Sequence, residues 1–343
     1  MIPTNIKQWL YSPEPAGLIF SNDLDGLVSY HLLRQVKPEW TLKGFWKMPD
    51  YKKGETYHEL YLADGVNELD KNTIFVDLDI HKIDGHMYRC FGNHLTMLSK
   101  DDSINLESCN LNNVAKFHRS NYPFKYNLGT AHLIYGLYDI PLPKSAAGKA
   151  VLCLIDSVIS SYFHVNEEFK QIAIGWLEIL RLNELIDFMD SHINIDFEKY
   201  RKQLKAYENI EMKNNKLHTS IQIEKLSKAL GFDCSLPENT FKLHRTFENK
   251  VLRDKDIPKT KSELEGNVAT NALTSFNTLL YSVETEAGKG DPCVTFLDSV
   301  EPQEGKVSPN QWLHDLKADR ERNRASREQV KGIERINNDS EQF

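Results

Sequence analysis

Leu18-Ile19-Phe20-Ser21-Asn22-Asp23-Leu24-Asp25-Gly26-Leu27-Val28 is an apolar run that breaks into a small acidic turn and then resumes as an apolar-periodic segment. The pattern reads as a buried strand, a loop, and a helix beginning near Leu27. Asp23 and Asp25, followed by Gly26, point their oxygens at one spot if the loop curls around it. Oxygen-rich clusters of this kind suit hard divalent cations such as magnesium or manganese. A loop between the carboxyl end of a strand and a helix is also where open α/β sheets gather ligands and where a helix amino-terminus attracts phosphate. These residues therefore point to cation-assisted phosphate chemistry, set against an ordinary acidic surface turn.

The opening helix carries Leu27, Tyr30, His31, Leu33 and Val36 at helical spacing, and a strand is expected over Thr41-Trp46. Upstream, residues Met1 to Pro15 are a lead-in whose Trp9-Leu10-Tyr11 packs on the core. Residues Met48 to Asp70 form a polar, aromatic-dotted connection with a short helix at Tyr57-Leu62. Thr73-Ile74-Phe75-Val76-Asp77-Leu78-Asp79 then repeats the first pattern, a β-branched and aromatic run ending in carboxylates. Two parallel strands ending this way bring their acids to one rim. His81, His86 and Arg89-Cys90-Phe91-Gly92-Asn93-His94 make a histidine-dense interval of short strands and loops, and Gly129 to Leu137 has helical patterning. Ala150 to Ile155 reads as another apolar strand, finishing in Asp156. Strands alternating with helices argue for an α/β fold built on a mainly parallel sheet.

Beyond Asn166 the character changes. Phe169, Ile172, Ala173, Trp176, Leu177, Leu180 and Leu185 mark one or two amphipathic helices, and a further helix fits Ile221-Leu230 with Gly231 as its stop. Weaker strand signals follow at Thr240-His244 and Val294-Leu297, with a polar run at Asp254-Gly266 and a densely charged helix from Leu313 to Ile336. The expected organisation is an α/β domain over residues 1–165, a helical connector over 166–233, and a small mixed α+β domain over 234–343 that completes a cleft.

A length of 343 residues suits two domains, and 40% hydrophobic with 27% charged content is that of a soluble globular protein. No stretch approaches the roughly 18 apolar residues of a membrane helix, and the amino-terminus lacks a signal-peptide pattern. A cytoplasmic protein without a membrane partner is expected. The five cysteines are scattered with no Cys-x-x-Cys pair, so they read as reduced and buried. A net charge of -7 excludes a generally basic clamp for long nucleic acid.

Ser21-Asn22-Asp23-Leu24-Asp25-Gly26, the acid after Ile74-Val76, a downstream histidine and the acid after Val151-Ile155 together resemble the DHH phosphoesterase superfamily, over roughly residues 16 to 165. The helix at Gly129-Leu137 is similar to its counterpart there. The resemblance implies a two-metal phosphodiesterase using manganese, with magnesium as second choice. Asp23, Asp25, Asp77, His94 and Asp156 would be metal ligands, with Asp25, Asp77 and His94 central to catalysis. The implied substrate is a short or single-stranded nucleic acid or a cyclic dinucleotide, and a homodimer is compatible with the family. Two positions depart from the pattern: Ser21 replaces the usual histidine, and Asn93-His94-Leu95 stands where Asp-His-His is expected. The glycine-rich signature of the family's usual second domain is not visible.

Other readings stay open. A catalytically degenerate relative binding a nucleotide or a protein accounts for Ser21 and Leu95. A haloacid-dehalogenase-like phosphatase fits Asp23-Leu24-Asp25-Gly26 less well, because Ser21 and Asn22 separate the strand from the first acid and Leu27 replaces the usual threonine. Asp79 and His81 either orient the ligands from behind or are plain loop polarity. His132 is expected to serve packing, Arg119 and Lys125 to face solvent, and Tyr122 and Phe124 to pack in the core rather than stack on a base.

Overall fold

The computed structural model describes residues 3–50, 55, 57–156, 158–164, 167–191, 200–202 and 210–248. A seven-stranded sheet, mostly parallel, organises them in the order β6-β5-β4-β1-β2-β3-β9. Its strands are β1 (Gly17–Ser21), β2 (Thr41–Lys47), β3 (Tyr57–Ala63), β4 (Thr73–Val76), β5 (Arg89–Phe91), β6 (Ser108–Cys109) and β9 (Phe241–Glu248). β1 pairs in parallel with β2 on one side and β4 on the other, and β4, β5 and β6 continue in parallel. β3 and β9 run antiparallel at the far edge. A separate two-stranded ribbon joins β7 (Glu211–Lys213) to β8 (Lys216–His218).

Alternation along the strands divides the side chains between two cores. Leu18, Phe20, Ile74, Val76 and Phe91 face the larger one, against the helices. Ile19, Phe75 and Cys90 face a smaller one with Trp46, Leu60 and Leu62. The helices are α1 (Thr4–Leu10), α2 (Leu24–Val36), α3 (Leu111–Val114), α4 (Thr130–Leu137), α5 (Ala146–Leu154), α6 (Val158–Tyr162), α7 (Glu167–Ile179), α8 (Asn183–Ser191) and α9 (Ile223–Leu230). Trp9 and Leu10 of α1 are buried. Trp176 of α7 and Leu226 of α9 belong to the same apolar cluster as Phe20, so the helices after residue 166 pack continuously with the first sheet. α9 stops at Gly231, which takes the left-handed conformation at φ 84°.

Three expectations are corrected. Helix α2 begins at Leu24 rather than near Leu27, because the Asp23 carboxylate accepts the Gly26 N–H and caps it. Tyr57 to Ala63 is strand, not helix; Leu60 and Leu62 alternate into the small core, and the backbone bonds to both β2 and β9. Ala150 to Ile155 is not a strand either. It is the second half of α5, which starts upstream where Ser145 Oγ accepts the Gly148 N–H at 2.9 Å. An unbroken apolar run carries no period that separates helix from strand.

The strand expected at Thr240-His244 is present as β9, at the edge of the main sheet. Asp254-Gly266, Val294-Leu297 and Leu313-Ile336 lie outside the described residues. Among the described residues, no helix is long and apolar enough to cross a membrane.

Candidate functional site

From β1 the chain passes to β2 on one side and returns to β4 on the other, so the crevice beyond the carboxyl ends of β1 and β4 is a topological switch point. Open α/β sheets place ligands there. Phe20 and Val76 are register partners, and the residues just after them, Ser21 and Asp77, meet side by side. Asp77 turns the chain in the left-handed region at φ 58°, a conformation aspartate tolerates better than most residues. Ser21 Oγ lies 2.6 Å from Asp77 Oδ2 and 3.2 Å from Asp23 Oδ1. The first turn of α2 backs directly onto this hydroxyl: a Cβ on Gly26 would lie 2.1 Å from Ser21 Oγ.

Asp25, 3% exposed, is engaged by the amino-terminus of α4. Its oxygens accept the Thr130 N–H at 2.6 Å and the Ala131 N–H at 2.8 Å. Thr130 also donates its hydroxyl to Asp77 Oδ1 at 3.0 Å, tying together acids from two strand ends. Asp156 follows α5 in another left-handed turn, φ 52°, and is solvent-accessible. Asn93 donates its amide to Asp156 and to the Leu128 carbonyl. Asp25 and Asp156 are themselves in side-chain contact.

Four aspartates from three separate stretches of chain therefore converge. Burial, then the charges of Asp156 and Asp23, push the Asp25 carboxyl well above the usual carboxylate range, against the pull of the Ala131 and Thr130 N–H groups. Asp77 is raised likewise, by burial first and then by Asp23, Asp25 and Asp156. Burial and Asp23 also raise Asp156, opposed by His94 and Asn93. Among the described residues, no lysine or arginine forms an ion pair with any of the four.

His94 stands at the solvent side, its side chain 61% exposed, with Nδ1 3.4 Å from Asp79 Oδ2. Burial opposes its charge, but Asp79, Asp156 and Asp23 prevail and raise its pKa to about 9. Asp79 faces donors on every side, and His81 is exposed. His132 is fully buried: its Nδ1 accepts the Gly129 N–H and its Nε2 donates to the Leu152 carbonyl, the packing role expected. Arg119 is exposed. Lys125 is half-buried, with its ammonium over the Tyr122 ring at 4.7 Å, and Tyr122 is 50% exposed rather than in the core, whereas Phe124 is buried. No family model, no curated protein and no solved structure matches this chain.

Among the described residues, no three His, Cys, Asp or Glu side chains are grouped as a metal ion requires. Asp25 and Asp77 are turned toward hydrogen-bond donors, and a shared ion needs them to rotate. The donor chemistry nonetheless fits a hard divalent cation: carboxylates that repel one another, and the buried Asn93 Oδ1, which has no hydrogen-bond partner among the described residues. Thr130, Asn110 and Asn112 are not singled out by sequence reasoning, and Asn93 is noted there only as a departure from the Asp-His-His pattern. Asn110-Leu111-Asn112-Asn113 was the available signal, since asparagines clustered in a buried stretch must find partners.

Proposed function

We propose that this protein is a divalent-cation-dependent phosphodiesterase acting on a short or single-stranded nucleic acid or a cyclic dinucleotide. The observation that carries the reading is the convergence of Asp23, Asp25, Asp77 and Asp156 at the switch point of the sheet, with no lysine or arginine among the described residues paired to them. Such a cluster is costly unless protons or cations offset it. The resemblance to the DHH phosphoesterases supports the same reading and suggests two cations, manganese or magnesium.

Asp23, Asp25, Asp77, His94 and Asp156 would hold the cations, which supply Lewis acidity for attack of water on phosphorus. The rest of the work belongs to the chain. Thr130 fixes Asp25 relative to Asp77. Asn93 holds Asp156 at the mouth. His94 is the positive group beside Asp156 when no cation is bound, and it must give up its proton to act as a ligand.

A second reading is a binding module that has lost catalysis. Ser21 between Asp23 and Asp77, and Asn93 on Asp156, favour it, because neutral donors there partly satisfy the acids. The test is a panel of short oligonucleotides, single strands and cyclic dinucleotides incubated with the full-length protein and manganese, with Asp77→Ala as control. Cleavage by the wild type alone supports the enzyme. Binding without cleavage transfers the site to the second reading.

A further inference from the structure

We infer that Tyr126 is a positioning residue for Asp25: its hydroxyl holds the Gly129 carbonyl and thereby aims the Thr130 N–H, in the same peptide unit, at the Asp25 carboxylate. Its second test rests on the cation-site reading above, and its first does not.

Tyr126, fully buried, lies on the loop that enters α4. Its hydroxyl donates to the Gly129 carbonyl at 2.9 Å. A trans peptide is planar, so the Gly129 carbonyl and the Thr130 N–H point in opposite directions from one rigid unit. Fixing the carbonyl therefore fixes the N–H, which reaches Asp25 Oδ2 at 2.6 Å. The next N–H, that of Ala131, meets Asp25 Oδ1 at 2.8 Å, and the Thr130 hydroxyl meets Asp77 Oδ1 at 3.0 Å. Turning this one peptide would disturb the contacts to both acids. Only glycine lets it come so near, since a Cβ on Gly129 would lie 2.7 Å from Asp25 Oδ2 and 2.5 Å from Ile155 Cγ2.

Tyr126 is itself held from behind. Asn112, also fully buried, accepts the Tyr126 N–H on Oδ1 at 2.7 Å and donates its amide to the Tyr126 carbonyl at 3.2 Å. The same amide donates to the Asn93 carbonyl at 2.8 Å, so one side chain ties this loop to the end of β5. The ring is fixed as well. Trp176 of α7 packs against it edge-on, with centroids 5.4 Å apart, and donates its indole N–H to the adjacent Lys125 carbonyl at 3.0 Å. Backbone and ring together set where the hydroxyl stands.

The test uses Tyr126→Phe, which removes one hydroxyl and leaves the Gly129 carbonyl bonded to the His132 N–H at 3.1 Å. In proton–nitrogen NMR of the cation-free full-length protein, the Thr130 and Ala131 amide protons are expected to move upfield in the variant, while the amides of β2 stay in place. Unmoved Thr130 and Ala131 resonances, or an equal shift throughout the sheet, overturn the inference. Manganese affinity is then compared in a double-mutant cycle. Tyr126→Phe is expected to weaken binding about fivefold, the effect of one ordinary hydrogen bond, and to have no further effect in the Asp25→Ala background. An equal loss in both backgrounds assigns Tyr126 a general structural role and overturns the inference, as does no loss in either. If the wild type binds no manganese, the cation reading fails by itself, and the two amide resonances alone decide the role of Tyr126.

Discussion

The Ser21 hydroxyl stands 2.6 Å from the Asp77 carboxyl, joining the ends of β1 and β4, and the same oxygen is 3.2 Å from Asp23. A hydroxyl has one proton and cannot donate to both carboxylates. Without a cation, the three groups form a consistent chain when Asp77 is protonated and donates to Ser21, which donates to Asp23. The charge of Asp156 likewise disfavours ionisation of Asp25. Cation binding must then expel protons. Calorimetric titration with manganese, in two buffers of different ionisation enthalpy, is expected to show proton release on binding; heats independent of the buffer contradict this.

The same groups set the pH dependence of stability. Asp25 and Asp77 have folded-state pKa values above the unfolded ones. Their burial costs nothing while both states are protonated, and the cost grows as pH rises from the unfolded pKa toward the folded one. In the presence of a chelator, the contribution of these two groups to the urea midpoint should therefore fall as pH is raised above the unfolded carboxylate value of about 4. Asp77→Asn should flatten that limb, and so should saturating manganese.

His132 acts in the opposite direction. Burial lowers its pKa from 6.5 to about 4, against weaker support from the Leu152 and Gly129 backbone groups. The fold keeps it neutral, so stability is fully present above pH 6.5 and is lost as pH falls toward 4, by about 3 kcal/mol in all. His132→Leu should be less stable than wild type at high pH and lose its acid limb in urea titrations below about pH 6.

The sequence revealed Asp23, Asp25 and Asp77 because each follows an apolar β-rich run, and the parallel pairing of β1 with β4 brings those run ends together. Asp156 was found for a wrong reason, since α5 and not a strand delivers it. Thr130 could not be read, because it acts on Asp25 through a backbone N–H across 105 residues, and a backbone donor leaves no trace in residue type. Strand β3 was read as a short helix, because the polar and aromatic neighbours of Leu60 and Leu62 obscured their alternation.

Gly26 offers a direct probe of how closely α2 packs on the end of β1. A methyl group there would meet Ser21 Oγ at 2.1 Å and the Ser21 carbonyl oxygen at 2.7 Å. Gly26→Ala should cost about 1–3 kcal/mol of stability through overpacking, and it should also weaken manganese binding by displacing Ser21 and Asp23. Urea denaturation and a binding titration on the same preparation check both; a variant as stable as wild type contradicts the packing.

The central claim is that the converging aspartates form a cation site, and thermal unfolding with and without manganese tests it most directly. A ligand at about one hundred times its Kd stabilises the folded state by about 2.7 kcal/mol, which raises Tm by about 5 °C. The wild type should show that rise and Asp77→Ala should not. An unchanged wild-type Tm, or an equal rise in Asp77→Ala, would contradict the account.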